Sequence, residues 1–261
     1  MSFFIIPFTA FIASILTFFS GFGLGTILLP VFTIYYDAPI AVGLTAIVHF
    51  LNNVFKIGLV YKNINWKVVL RFGIPSLIAA LAGAFLLKNL FYKPIILTSY
   101  YLESTEITHH ITLFNVLIGL LIIVFSLFEV IPYLKNLSFD KDKLTFGGLL
   151  SGFFGGLSGH QGALRSAFLV RLELPKEVFV ASGTAIACMV DVGRMSIYAI
   201  SFDFTKMEHH WSVVGIAVLA AFLGALIGNK LLKKITLSFL KWFVTIFMIV
   251  IALLIMLGLI G

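Results

Sequence analysis

The sequence repeats itself at an offset of about half its length, and each copy carries polar residues into a stretch that is otherwise apolar. The positions that recur at an offset of 138 are Ser20-Gly21 with Ser158-Gly159, Asn53 with Asp191, and Lys56 with Arg194. At an offset of 145, residues 66–88 match residues 211–233 at nine of 23 positions, where composition would give roughly two or three. Duplicated, interrupted apolar segments are typical of secondary transporters. We therefore predict two tandem homologous repeats.

The composition places the chain in a membrane. Hydrophobic residues make up 61% and charged residues 11% of the 261 positions, and the mean hydropathy is +1.11, whereas soluble domains have about 45–50% and about 25%. The net charge of +7 comes from basic residues that stand singly at segment ends, a topology signal and not a nucleic-acid surface. The single cysteine, Cys188, excludes a cysteine-built metal site. We predict an all-α polytopic membrane protein without cofactor or metal.

Eight apolar segments divide the chain into two halves. The segments are residues 3–36, 38–61, 66–87, 111–133, 144–170, 177–200, 211–232 and 238–260. The first repeat is expected at residues 1–133 and the second at 144–261, joined by the polar loop 134–143, as one integrated transport domain. Residues 92–110 have no counterpart in the second half and are expected to form a loop insertion.

The first and fifth segments are interrupted by glycine-rich runs, at residues 20–25 and 155–162. Each segment is either a long broken span or a re-entrant hairpin of two half-helices. If all eight segments cross the membrane, eight flanking basic residues lie on one side and seven on the other. If the first and fifth segments are hairpins, twelve of these basic residues lie on one side and three on the other. Cytoplasmic loops are enriched in Lys and Arg, so hairpins are favoured. Each half then has three transmembrane helices, the repeats are inverted, and both termini lie outside.

Arg165 is the sharpest candidate for a binding residue. It follows the second break inside an apolar run, where a guanidinium costs about 2.5–3.5 kcal/mol on insertion scales. An anion would offset this cost, and a half-helix that starts near Gly162 would add free N–H groups. We expect an oxyanion pocket at the two breaks, with further ligands at Ser20, Gly21, Ser158, Gly159, His160 and Gln161. The alternative is a shallow hairpin from which Arg165 reaches the headgroups.

Two residue pairs, Asn53/Lys56 and Asp191/Arg194, each share a helix face. They are candidates for flanking the anion path, with Lys56 toward the cytoplasm and Arg194 toward the outside. His49 and Asp191 are candidates for proton coupling and gating. The structural alternatives are a snorkelling Lys56, a local Asp191–Arg194 ion pair that fixes helix packing, and a hydrogen-bonded packing role for His49.

With these residues in view, the chain resembles the sulfite exporter TauE/SafE family, also called the four-toluene-sulfonate uptake permease family, over nearly its whole length. The resemblance rests on two glycine-broken segments, Ser20-Gly21-Phe22-Gly23-Leu24-Gly25 … Pro30 and Gly155-Gly156-Leu157-Ser158-Gly159-His160-Gln161-Gly162, each followed by a Pro-x-x-Val-type helix start at Pro39 and Pro175. It implies movement of sulfite, organosulfonates or other sulfur-containing anions across the cytoplasmic (inner) membrane. The expected partners are this anion and the lipid bilayer, not nucleic acid, and a homodimer stays open.

Three functions compete at this point. A proton-coupled exporter with alternating access is the leading hypothesis, since no nucleotide-binding loop occurs in the sequence. A passive anion channel is the first alternative. A rhomboid-like intramembrane serine protease is the second, because Gly156-Leu157-Ser158-Gly159 and His49-x-x-x-Asn53 match its motifs. However, no later span supplies a histidine base for Ser158, so we expect no enzymatic activity.

Overall fold

The computed structural model describes residues 1–17, 23–103, 106–135, 137–201, 210–231 and 238–260. The chain is mostly helical, and 3-10 turns at Tyr61–Asn63, Lys141–Lys143 and Val170–Leu172 connect several helices. The α-helices are α1 (Ser2–Leu16), α2 (Leu24–Thr33), α3 (Ala38–Val60), α4 (Trp66–Tyr92), α5 (Leu113–Val130), α6 (Pro132–Lys135), α7 (Leu144–Ser158), α8 (Gly162–Leu169), α9 (Lys176–Ser201), α10 (Trp211–Leu231) and α11 (Ser238–Met256).

The insertion after α4, which we expected to be a loop, contains a β-hairpin in an otherwise mostly helical chain. Strands β1 (Ile96–Leu102) and β2 (Ile107–Thr112) pair in antiparallel register, with Tyr100 opposite His109. β-branched and aromatic residues fill both strands, as strands prefer. The sheet also holds the end of α11, because Tyr100 Oη donates to Leu257 O at 2.8 Å and His109 Nδ1 lies 2.9 Å from Gly258 O.

The second interrupted segment folds back on itself. α7 ends at Gly159, which has a left-handed φ of 82°, and α8 then returns along α7. As a result, the Phe168 ring near the end of α8 packs against Gly147 near the start of α7. Beyond α8, Arg171 Nε donates to Ser138 Oγ at 2.8 Å. Residues 138 and 171 therefore lie at the same end of the bundle, as a helical hairpin requires and a single broken span does not allow.

The first interrupted segment also begins and ends at one end of the bundle. The Ser2 side chain at the start of α1 hydrogen-bonds the Tyr36 side chain beyond the end of α2. α1 and α2 pack against each other, and α2 is buried along its whole length. Residues 18–22, which include the start of the predicted break and the candidate ligands Ser20 and Gly21, lie outside the described residues.

Glycines bring α7 and α4 into close contact. Gly148, Gly152 and Gly156 recur every fourth residue on α7, and a methyl group on any of them would overlap a carbonyl oxygen of α4. Those oxygens belong, in the same order along α4, to Phe72, Ser76 and Ala80. The two helices therefore run parallel. Small residues allow such close packing of membrane helices. This packing fixes the second helical hairpin against the first half of the chain.

Four described helices are long and apolar enough to cross a membrane: 38–63 with its terminal turn, 66–90, 176–200 and 211–230. Shorter apolar helices lie at 2–16, 24–33, 113–128 and 244–256. The chain is thus a multi-pass helical membrane protein. Among the described residues, the largest apolar cluster is formed mainly by α1, α2 and α3 with α5, α10 and α11.

Exposed basic side chains gather at one end of the bundle, which we call the basic end. Contacts such as Asn65 N to Ser182 Oγ (2.9 Å) and the cluster of Val60, Ala181 and Ala225 bring its segments together. The basic residues there are Lys62, Lys67, Arg71, Lys141, Lys143, Arg171, Lys176 and Lys230. The opposite end carries the β-hairpin with Lys88 and Lys93. Among the described side chains, the bias matches the distribution predicted for two hairpins.

Candidate functional site

A buried polar cluster joins α3 to α9 in the middle of the bundle. Asp191 accepts hydrogen bonds from His49 Nδ1 at 2.7 Å and from Asn53 Nδ2 at 2.9 Å. It also accepts from Arg194, through Nε at 3.0 Å and Nη2 at 2.8 Å. The four residues of this central cluster, His49, Asn53, Asp191 and Arg194, are each at most 6% exposed. A carboxylate has about four acceptor positions, so Asp191 is fully hydrogen-bonded.

The central cluster links positions that correspond in the two halves. Asn53 and Asp191, which align at the offset of 138, are in direct contact. The Asp191–Arg194 ion pair, one of the structural alternatives considered above, is present. Because a carboxylate only accepts, the His49 proton lies on Nδ1, and Nε2 points toward the first break: a methyl group on Gly23 would lie 3.6 Å from it.

The two breaks meet beside the central cluster. A methyl group on Gly25 would lie 3.8 Å from Gly159 O and 3.6 Å from the His49 ring. On its other side, Gly159 lies directly against Arg194, since a methyl group there would be 2.7 Å from Nη1. A side chain at Gly159 would both strain the left-handed backbone and displace this guanidinium. The predicted meeting of the breaks is therefore visible in the described part of the first one, Gly23 to Gly25.

Lys56 lies apart from the central cluster, one turn nearer the basic end. Its ammonium is 4% exposed and donates to Thr17 Oγ1 just before the first break. With its nitrogen directed to Ala221 O, the Asn52 amide offers Lys56 Nζ an oxygen at 3.3 Å. Lys56 therefore does not snorkel to the surface. It is buried on the side of the central cluster that is nearer the basic end, which is the end predicted to face the cytoplasm.

His160 and Ser158 face α5. The His160 ring stacks on Phe125 with centroids 5.6 Å apart, and its Nδ1 lies 2.9 Å from Ser158 Oγ. Its Nε2 is buried, and no described residue hydrogen-bonds to it. If Ser158 donates to Nδ1, then Nε2 carries the proton and is a free donor. Ser158 Oγ is also 3.3 Å from Phe154 O. Its hydroxyl has one proton, so it donates either to Phe154 O or to His160 Nδ1, but not to both at once.

Gln161 and Arg165 face α9 instead. Gln161 Nε2 lies 3.5 Å from Ala187 O, and a methyl group on Gly183 would lie 3.3 Å from Arg165 Nε. Gln161 Oε1 and Arg165 Nη1 are buried and have no hydrogen-bond partner among the described residues. The structure thus distributes the expected ligands over two sides of α8, with His160 toward α5 and the other two toward α9.

Some residues near the site were missed by the sequence reasoning. Thr45 is 1% exposed, its Oγ1 has no partner, and it lies beside Gly25. It stands four residues before His49 on the same face of α3, a signal that could have been used. Phe125 and Thr17 carry no such signal, because their proximity depends on how α5 and α1 pack.

Ser158 and His160 are in contact, but a catalytic serine needs a histidine base that a third group orients. Among the described residues, no group hydrogen-bonds His160 Nε2 in that way. Within the described residues, no group of three or more His, Cys, Asp or Glu side chains could hold a metal ion.

Comparison with known proteins gives one assignment. The family described as Sulfite exporter TauE/SafE matches residues 6–255 of the chain. No curated protein and no solved structure matches it significantly.

Proposed function

Because the chain belongs to the sulfite exporter TauE/SafE family, a family of transporters and not of enzymes, we propose that it exports small sulfur-containing oxyanions. Sulfite and organosulfonates are the proposed substrates, and the inner membrane is the proposed location. The observation that carries the proposal is a surplus of cationic groups beside the two breaks. Arg165, Lys56 and Arg194 lie there against a single buried acid among the described side chains, Asp191.

An anion is the ligand that this surplus requires. A guanidinium inside a membrane protein is costly unless it has an anionic partner. Arg194 is already paired with Asp191, so Arg165 is the residue on which we place the anion site. Arg165 Nη1 is an unused donor, and guanidinium groups bind oxyanions through charge-assisted, often bidentate hydrogen bonds. Free groups at Thr45 and His160 could extend the pocket.

The proposed mechanism is alternating access between two inverted repeats. Its support is the pattern of helix packing: α4 contacts α7, α10 contacts α1, α3 contacts α9, and α5 contacts α11. If each helix of residues 1–133 is exchanged with its counterpart in residues 144–261, the α4–α7 contact becomes the α10–α1 contact, and the α3–α9 and α5–α11 contacts stay the same. Binding sites of such transporters lie at the repeat interface, where discontinuous helices end. The described parts of both breaks meet at that place.

Proton coupling is proposed for the His49–Asp191 pair. Protonation of Asp191 would remove its negative charge, weaken its bonds to His49 and Arg194, and make the Arg194 guanidinium available to an anion. Since Arg194 touches Gly159 at the second break, the change would reach the site directly. A passive channel predicts anion flux that is indifferent to a proton gradient, so a pH step across the membrane separates the two hypotheses.

Variants of Arg165 test the proposal. Truncation of one partner of a buried charged pair costs about 2–5 kcal/mol, so Arg165→Ala should weaken sulfite binding roughly 30-fold or more and abolish transport. Arg165→Lys should clearly weaken sulfite binding, because lysine lacks the planar guanidinium that can donate two parallel hydrogen bonds to an oxyanion. Ser158→Ala removes one neutral hydrogen bond worth about 1 kcal/mol and should still transport.

Exposed Arg171 provides the matched control, because Arg171→Ala removes the same charge from the basic end without touching the site. It should bind sulfite like the wild type. Wild-type affinity in a correctly inserted Arg165→Ala variant would contradict the proposed site. A protease would give the reverse ranking, with Ser158 indispensable.

A further inference from the structure

Gln161 and Arg165 form a second feature of the site, in the seam between α8 and α9. The two residues are four apart, so their side chains share one face of α8. That face lies on α9, at Ala187 for Gln161 and at Gly183 for Arg165. Small residues of α9 therefore line the seam. Each of the two polar side chains leaves one buried atom that has no hydrogen-bond partner in the part of the chain that the structure describes.

The free atom of Gln161 is an acceptor. Ala187 O can only accept, so the Gln161 amide nitrogen at 3.5 Å from it is the donor. The opposite amide orientation would place two oxygens together. Gln161 Oε1 is thus the unpaired atom, in a side chain that is 0% exposed. A buried acceptor without a donor is unfavourable, and such groups call for a ligand or an ordered water.

The seam consequently offers a ligand two different groups. Arg165 Nη1 donates and carries charge, whereas Gln161 Oε1 accepts. Sulfite dianion and simple alkanesulfonates have acceptors alone, so they would satisfy Arg165 and leave Gln161 unpaired. An anion that also has an O–H or N–H group would satisfy both.

We infer that Gln161 is a specificity residue that selects sulfur oxyanions bearing their own hydrogen-bond donor. This inference rests on the proposed function and narrows its substrate class. The two side chains start one helical turn apart, about 6 Å along the axis of α8. A small molecule that reaches both side chains needs its donor close to the oxyanion, as in a sulfonate with a hydroxyl or ammonium group on a neighbouring carbon.

The experiment compares two ligands of equal charge, ethanesulfonate and 2-hydroxyethanesulfonate, by calorimetry on the full chain purified in detergent. The hydroxyl should tighten binding by about 5- to 10-fold, the effect of one hydrogen bond to a buried, otherwise unpaired acceptor. In Gln161→Met, which keeps the length of the side chain and removes the acceptor, the two ligands should bind equally. The wild-type comparison stands without the variant if Gln161→Met does not fold.

The outcomes separate this inference from the function on which it rests. Equal binding of both sulfonates by the wild type would overturn the role of Gln161 and leave anion transport intact. A preference that persists in Gln161→Met would overturn it as well. If neither sulfonate nor sulfite binds, the proposed function itself fails.

Discussion

The replacement of Asp191 by asparagine tests whether the central cluster holds the two halves together. The carboxylate accepts from His49, Asn53 and Arg194 at 2.7–3.0 Å. An amide has one oxygen for these donors, and its nitrogen would face them as another donor. In addition, Asp191→Asn leaves the Arg194 guanidinium, 1% exposed, without its counter-ion.

The magnitude follows from burial. Removal of one partner from a buried ion pair costs about 3–5 kcal/mol, because the other charge stays behind unpaired. Asp140 and Lys143 provide the matched control, since they have the same i,i+3 spacing but are 77% and 59% exposed, 3.9 Å apart. Exposed pairs contribute about 0–1 kcal/mol, so Asp140→Asn should change little.

Unfolding of the purified variants in detergent, followed by circular dichroism, measures both effects. Asp191→Asn should unfold at a clearly lower midpoint than the wild type, and Asp140→Asn at nearly the same midpoint. The double variant Asp191→Asn/Arg194→Gln should recover part of the loss, because no buried charge is then left unpaired. If Asp191→Asn is as stable as the wild type, or if the two substitutions add their costs, the cluster does not stabilise the fold as described.

Two further predictions concern the fold. Gly152→Leu should prevent folding or expression, because its side chain would overlap a carbonyl oxygen of α4, whereas Gly58→Ala should be tolerated, since no described heavy atom lies within 4 Å of the added methyl. Detergent-soluble yield and size-exclusion profiles distinguish the two variants. A monodisperse Gly152→Leu protein would refute the close packing of α7 against α4. Single cysteines in place of Ile107 and Lys141, in a Cys188→Ser background, should react with impermeant maleimide from outside and from inside respectively, and labelling of both from one side would contradict the inverted topology.

The sequence was most informative where the positions of basic residues limit how the apolar segments can cross the membrane. A count of flanking basic residues favoured two helical hairpins, and the contacts of Ser2 with Tyr36 and of Arg171 with Ser138 agree with it. The pairing of Asp191 with Arg194 was visible from their spacing on one helix. These features depend on residues that are close together along the chain, so one amino-acid sequence is enough to predict them.

Other features depend on tertiary contacts and could not be found in this way. The sequence places His160 and Arg165 in one glycine-broken run, but only the packing of α8 decides that one faces α5 and the other α9. The β-hairpin is a different case: its β-branched and aromatic residues, such as Ile96 and Tyr100, did indicate strands. The expectation of a loop at residues 92–110 did not use that signal.

Sulfite flux into liposomes that contain the purified protein tests whether the chain transports sulfur oxyanions through the site at Arg165. We expect saturable flux that is faster under an imposed pH step of about two units, a range that spans the titration of an ordinary histidine. The flux should be lost in Arg165→Ala but not in Arg171→Ala. Flux no greater than in protein-free liposomes, for sulfite and for organosulfonates alike, would contradict it.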